Sequence, residues 1–179
     1  MKTPIIYGLF MALAGLLLTL VLYFTGFHSD VEKLKAAQTI STVGGLAIGV
    51  TIITLGIKAR RAEVPATEAF GYGRALGAGV LIGLFGSLFG TVTNFLYMHV
   101  INPGLTDLMV QAQIAKWETA GMSSERMEQA EKMMRTMMNP ALQAVFGIII
   151  GVLFCTIIAL IVAAFLKREA TEEQPPVAA

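Results

Sequence analysis

Four side chains that can bind divalent metals stand near the ends of long uncharged runs: His28, Asp30, His99 and Asp107. Imidazole and carboxylate groups bind zinc and similar ions when a fold brings several of them together. Their spacing along the chain does not fix such a grouping, and the alternative is that they are ordinary solvated residues. We therefore predict no metal site from these residues.

Methionine thioethers form a second set of candidate ligands. Six methionines lie between residues 122 and 138, and thioethers are soft ligands that suit copper(I). Methionine also fills apolar helix faces with no part in metal binding. Handling of copper or another metal outside the cytoplasm is therefore a remote alternative, and we expect no cofactor.

The long uncharged runs contain little that could catalyse a reaction. The sequence has no GxSxG elbow, no HExxH pair and no phosphate-binding loop, and Cys155 lies in apolar surroundings that keep a thiol protonated. The most polar residues within the runs are Asn94, with Thr91 and Thr93 close by, and Gln143. Such an amide either bonds to another helix or lines a small cavity. We predict a non-enzymatic protein in which Asn94 and Gln143 make polar contacts within the membrane.

The elements that must position these residues are the four uncharged runs themselves. The chain is 55% hydrophobic and 14% charged, with a mean hydropathy of +0.70. A helix needs about 20 apolar residues to cross a bilayer, and each run has that length. The first run also exceeds the roughly 7–15 residues of a signal-peptide core, so we expect it to be retained. The sequence predicts an all-α membrane protein of one domain, 1–179, built as a four-transmembrane-helix bundle with spans at about 4–26, 37–58, 74–100 and 140–166.

The connection between the third and fourth spans has polar helical patterning. A helix is predicted from Thr106 and Asp107 to about Thr119, and a second one follows Ser123 and ends before Asn139. The second helix carries an apolar face of methionines that needs a cover, either the headgroups, the first helix or a partner protein. We predict an extracytoplasmic helical hairpin over about 104–138 and a flexible tail over 169–179.

The lysines and arginines indicate the orientation of the bundle. One side receives seven of them, nearly all next to span ends, whereas the other has Lys33 and Lys35 in a short turn and four more spread through the long connection. By the positive-inside rule, both termini are cytoplasmic and the loop 101–139 is extracytoplasmic. Because the net charge is only +1 and the cations are scattered, we expect no nucleic-acid partner. The seven cations are Lys2, Lys58, Arg60, Arg61, Arg74, Lys167 and Arg168.

Glycines recur at helical spacing in three of the spans. Small residues four apart let helix backbones approach closely in lipid, where hydrophobic burial does not drive helix association. Static packing is one interpretation of such a pattern and a sliding or gating surface is the other. The glycines predicted to pack are Gly45, Gly49, Gly79, Gly83, Gly86, Gly90, Gly147 and Gly151.

Three segments carry a resemblance to a known family. They are RRAEVPATEAFGYGRALGAG at 60–79, NFLYMHVINPGLTDLM at 94–109, and LIVAAFLKRE at 160–169, with the methionine-bearing insert and a proline at 140 between the last two. In this order they resemble a family of small bacterial four-span membrane proteins known as domain of unknown function 4199 (DUF4199). The resemblance implies a bacterial inner membrane, but it brings no activity, substrate or catalytic residue.

Two functions of different classes follow from these observations. The first is a non-enzymatic accessory or assembly subunit that binds a partner, either a membrane protein or further copies of itself, through its glycine faces and outer hairpin. The second is a small oligomeric transporter or channel that passes a weakly polar solute by Thr91, Asn94 and Gln143.

Overall fold

The computed structural model describes residues 2–170. Four of its helices, of 23, 32, 30 and 27 residues, are long and apolar enough to cross a membrane, which confirms the predicted all-α, four-span fold. Of the predicted tail, residues 171–179 lie outside the described residues. The elements are α1 (Lys2–Phe24), α2 (Val31–Ala62), α3 (Tyr72–Leu96, extended by a π-helical turn at Tyr97–Ile101), α4 (Leu105–Thr119), α5 (Ser124–Met137) and α6 (Pro140–Leu166).

Helix α2 begins earlier than its apolar run. Asp30 has an extended backbone, and its carboxylate accepts a hydrogen bond of 2.9 Å from the amide of Glu32, as an N-cap residue does. The sequence predicts a short turn for Lys33 and Lys35, but the structure places both in the first turns of α2. An uncharged run indicates which part of a helix can lie in the hydrocarbon core of the membrane, whereas the cap determines where the helix starts.

Helix α6 begins where the sequence places its proline. Asn139 is the N-cap, and its side chain accepts a hydrogen bond of 3.0 Å from the amide of Ala141. Pro140 occupies the first helical position, where a missing N–H costs nothing. Only two residues, Met138 and Asn139, therefore lie between the end of α5 and the start of α6.

Helix α3 is the central element of the bundle. It packs against α1, α2 and α6, and its first half is closely packed. Ala75 and Ile82 are fully buried there, as are Ile57 of α2 and Ala159 of α6. Small side chains permit this close approach of helices, which maximises dispersion contacts.

Arg168 ties the connection between α2 and α3 to the end of α6. Its backbone exchanges two hydrogen bonds of 2.9 Å with Phe70, whose side chain is buried. Its guanidinium also donates to the carbonyl oxygens of Val64 (2.9 Å) and Pro65 (2.7 Å). We call this arrangement of Arg168 with residues 64–70 the Arg168 clasp.

The two helices of the connection, the α4–α5 insert, lie at the end of the bundle opposite the Arg168 clasp. Helix α4 packs on α2 and buries Leu105 and Val110. Helix α5 has no buried residue, and Arg135 Nη1 joins it to Asp107 Oδ1 of α4 at 3.0 Å. The insert therefore depends on α4 for its attachment to the spans.

Candidate functional site

A cavity of about 950 Å³ lies between the α4–α5 insert and the adjacent ends of α2 and α3. We call it the vestibule. Its volume lies in the range of roughly 300–1,000 Å³ that is typical of small-molecule sites. Its apolar wall comes mainly from the insert, which contributes Leu105, Met109, Ala112, Met134 and Met138.

The vestibule also has a polar wall, formed where α2 and α4 face the same space. Helix α2 contributes Glu32, Lys35 and Gln38, and α4 contributes Gln113 and Lys116. Neither lysine forms an ion pair with another residue in the part of the chain that the structure describes. The polar wall thus combines two free ammonium groups with one carboxylate.

Asn94 of α3 lines the vestibule and also two smaller cavities, of about 470 and 290 Å³. Its amide nitrogen lies 3.6 Å from the sulfur of Met98, and its carbonyl oxygen accepts no hydrogen bond from any described residue. Gln143 lines the vestibule and the 470 Å³ cavity, and it donates to the carbonyl oxygen of Met138 at 3.1 Å. Both amides therefore border cavities, and among residues 2–170 neither bonds to another span.

A hydrogen-bonded cluster of His28, Tyr97 and Asn102 borders the vestibule, and its His28 and Tyr97 form part of the wall. Tyr97 Oη lies 2.5 Å from His28 Nδ1 and accepts a hydrogen bond of 3.2 Å from Asn102. Because its oxygen already accepts from Asn102, the tyrosine hydroxyl can donate to the neutral imidazole. Burial lowers the pKa of His28 from its ordinary 6.5, which favours this neutral form.

Five of the eight predicted packing glycines lie where an added Cβ would meet a neighbour. At Gly79 that carbon would lie 2.6 Å from Cβ of Ala159, and at Gly83 it would overlap Cβ of Cys155. Methyl groups cannot be added at these positions without moving α3 away from α6. The other three are Gly49 beside Ile158, Gly86 beside Met11, and Gly151 beside Ser87.

The remaining three glycines have free space beside them. An added Cβ at Gly45, Gly90 or Gly147 would meet no described heavy atom within 4 Å. Gly45 and Gly90 line the 290 Å³ cavity, and Gly90 and Gly147 line the 470 Å³ cavity. At these positions the small residue leaves room next to Asn94 and brings no helix closer.

Gly8 of α1 makes a close approach although it is not among the predicted packing glycines. An added Cβ there would lie 2.8 Å from the backbone nitrogen of Gly86, so α1 and α3 nearly touch at this point. The signal available in the sequence is the spacing of Gly8 and Ala12, two small residues four apart on one helix face.

The four side chains considered as metal ligands are dispersed. Asp30 caps α2, Asp107 pairs with α5, His28 bonds to the tyrosine hydroxyl, and His99 bonds to a backbone carbonyl of its own helix at 3.0 Å. Within the described residues, no three His, Cys, Asp or Glu side chains are grouped so that they could hold a metal ion.

The methionine face of α5 is divided between two environments. Met134 and Met138 line the vestibule, whereas Met133 and Met137 are 64% and 49% exposed. The first pair forms part of a cavity wall. The second pair has no partner among the described residues that buries it.

Of three comparisons with known proteins, one finds a match. The chain matches no curated protein and no solved structure. Residues 6–168 match the protein family described as "Protein of unknown function (DUF4199)". The match spans all four membrane-crossing helices, apart from the first few residues of α1, and every residue that lines the vestibule. It confirms the resemblance noted in the sequence, and the chain therefore belongs to this family.

Proposed function

We propose that the protein is a non-enzymatic protein of the bacterial inner membrane that binds a small molecule with both polar and apolar groups in the vestibule. The observation that carries this proposal is the position of Asn94. Its amide borders three cavities and retains a carbonyl oxygen with no described partner, so it can bond to a solute.

The lining of the vestibule supports a solute of mixed character. The thioether and aliphatic wall of the insert favours apolar groups, and the amides favour a small number of hydrogen bonds. Most polar groups of the lining are amide, hydroxyl or ammonium groups, which suit hydrogen bonds to a solute.

The two halves of α3 suggest that solute reaches the vestibule from one end of the helix bundle. The half around Ala75 and Ile82 is closely packed, whereas the half around Asn94 borders cavities. By the distribution of lysine and arginine, the insert end is extracytoplasmic and both termini are cytoplasmic. Passage across the membrane would therefore need α3 to move, or a second copy of the chain to complete a path.

Native mass spectrometry of protein purified from membranes tests the binding proposal and gives the mass of whatever solute is bound. We expect a discrete small-molecule adduct that is weakened in Ala112→Phe, where the added ring takes up part of the vestibule. Val145→Phe adds similar bulk at a position of α6 that is 54% exposed, and it should keep the adduct. An adduct whose abundance is unchanged in both variants, or no adduct in the unaltered protein, would contradict the proposal.

A second candidate function is an accessory subunit that binds a membrane protein through α5. The observation in its favour is the exposure of Met133 and Met137 on a helix without buried residues. A photo-crosslinking residue at either position should capture a protein in cells, whereas one at Glu128, on the charged face, should not. Capture of lipid alone at both methionine positions would count against the partner.

A further inference from the structure

The charges of the vestibule identify the class of its ligand, on the assumption that the vestibule is a binding site at all. Lys35 and Lys116 come from different helices and line the same cavity, and neither has an ion-pair partner among residues 2–170. Glu32 is the one carboxylate in the lining, so the polar wall has an excess of positive charge. An anionic group placed between the two ammonium groups would gain charge-assisted hydrogen bonds.

The apolar wall suits a flexible hydrocarbon chain. Met109, Met134 and Met138 have unbranched, adaptable side chains, and they lie with Leu105 on the insert side of the cavity. Because these side chains adapt their shape, the surface that they form can accept a flexible acyl chain. The ligand therefore combines an anionic head with a chain.

The volume is sufficient for a ligand with one chain. At roughly 30 Å³ per carbon, about the volume of a water molecule in the liquid, a chain of about 16 carbons takes up about 500 Å³. The vestibule of about 950 Å³ holds one such chain together with a head group, whereas two chains would fill it completely.

We propose that the vestibule binds a single-chain anionic amphiphile, with its head between Lys35 and Lys116 and its acyl chain along the α4–α5 insert. A fatty acid and a lysophospholipid share this chemistry. The vestibule lies at the ends of the spans, so a ligand of this kind can leave the lipid leaflet while its head stays at the level of the headgroups.

The one tryptophan of the chain, Trp117, follows Lys116 on α4 and provides the readout. In nanodiscs of phosphatidylcholine, dibromostearate and a brominated lysophosphatidylglycerol should each quench Trp117 saturably, and a brominated monoacylglycerol should bind at least tenfold more weakly. The stronger of the two anionic ligands shows whether carboxylate or phosphate is preferred. The double variant Lys35→Gln/Lys116→Gln should weaken anionic binding about tenfold or more, since it removes both charge-assisted hydrogen bonds to the head.

The matched control is Lys33→Gln/Lys132→Gln, which removes the same charge from lysines outside the vestibule lining. It should leave binding unchanged. Equal weakening in both double variants would indicate general attraction to the surface and would overturn the proposal. Saturable binding of the neutral amphiphile, insensitive to Lys35 and Lys116 but weakened in Ala112→Phe, would overturn the anionic class and leave the binding function intact. The proposal would also be overturned if none of the three brominated amphiphiles quenched Trp117 saturably.

Discussion

At the scale of the residue, one of the close contacts between α3 and α6 is set by a glycine opposite an alanine. Gly79 has no side chain, and Cβ of Ala159 occupies the space that a methyl group at Gly79 would need. In a membrane the helices gain little from excluding water, so this fit contributes directly to the stability of the bundle. A position two residues away, Gly77, has no described heavy atom within 4 Å of an added Cβ.

Gly79→Ala should lower the stability of the folded protein by about 1–3 kcal/mol, because the added methyl group overpacks the contact. The double variant Gly79→Ala/Ala159→Gly moves the methyl from one helix to the other and should recover part of the loss. Gly77→Ala is the control and should be neutral or slightly stabilising, since alanine favours the helix. Unfolding in increasing sodium dodecyl sulfate measures all four proteins. Equal losses for Gly77→Ala and Gly79→Ala would show that the contact is unimportant.

His28 should make stability depend on pH. Its pKa in the folded protein lies below the ordinary 6.5 because of burial, so the unfolded chain takes up a proton first as the pH falls. The contribution of the buried imidazole is therefore fully present above about 6.5 and is lost as the pH falls from there towards the folded-state pKa. The melting temperature should drop between pH of about 7.5 and about 5.

His28→Gln is the matched variant for this pH effect. Glutamine does not titrate and can still accept a hydrogen bond from Tyr97, so the drop should be smaller than in the unaltered protein. An identical drop in both proteins would assign the pH dependence to other groups.

Sequence reasoning at this scale finds residue types better than it finds contacts. The spacing rule selects Gly79 and Gly83, which lie against α6, and also Gly90 and Gly147, which border open space. The rule cannot separate the two cases, because the spacing places a residue on a helix face but does not give the distance to the facing helix. That distance depends on how all four helices pack together.

At the scale of the element, the Arg168 clasp fixes the connection between α2 and α3. Without the guanidinium, the carbonyl oxygens of Val64 and Pro65 lose their donor. Only the two backbone hydrogen bonds between Phe70 and residue 168 then remain to hold the connection. A segment of irregular backbone held by few hydrogen bonds opens more readily than a helix.

Arg168→Ala should increase the hydrogen-exchange rate of the Phe70 amide by roughly tenfold or more, since a hydrogen bond of a charged group contributes about 1.5–3 kcal/mol. Lys167→Ala, which changes the exposed neighbour outside the clasp, should leave the rate unchanged. Hydrogen exchange followed by mass spectrometry in nanodiscs makes the comparison. Unchanged exchange in Arg168→Ala would mean that the backbone pair is sufficient without the guanidinium.

The elements differ in how far the sequence predicts them. The predicted spans of about 4–26, 74–100 and 140–166 agree closely with Lys2–Phe24, Tyr72–Ile101 and Pro140–Leu166, because apolar length determines a span. The second span is underestimated, since its first turns are polar and are set by the cap at Asp30. The vestibule could not be predicted, because its walls come from helices distant in sequence that only the folded chain brings together.

At the scale of the whole molecule, four spans place the two ends of the bundle on opposite sides of the membrane. The Arg168 clasp lies at one end and the vestibule with the α4–α5 insert at the other. The cations that the positive-inside rule weights most, among them Arg60, Arg61 and Arg74, lie at the clasp end. The clasp should therefore be cytoplasmic and the vestibule extracytoplasmic.

Cysteine labelling in spheroplasts tests this orientation. With a membrane-impermeant maleimide, Glu128→Cys on α5 should be labelled in intact spheroplasts, and Thr67→Cys in the clasp connection only after lysis. The native Cys155 is buried, so the unaltered protein should remain unlabelled and serve as the control. Labelling of Thr67→Cys before lysis would show that the orientation is the opposite of the one predicted.

The Arg168 clasp also has a consequence for the order of events during synthesis. Val64 leaves the ribosome 104 residues before Arg168, a delay of about 5–20 s at about 5–20 residues per second. Throughout that interval the first two spans can be inserted while the connection between α2 and α3 remains untied. Only the arrival of α6 supplies the donor that closes it, so the clasp forms last and its formation reports that all four spans are in place.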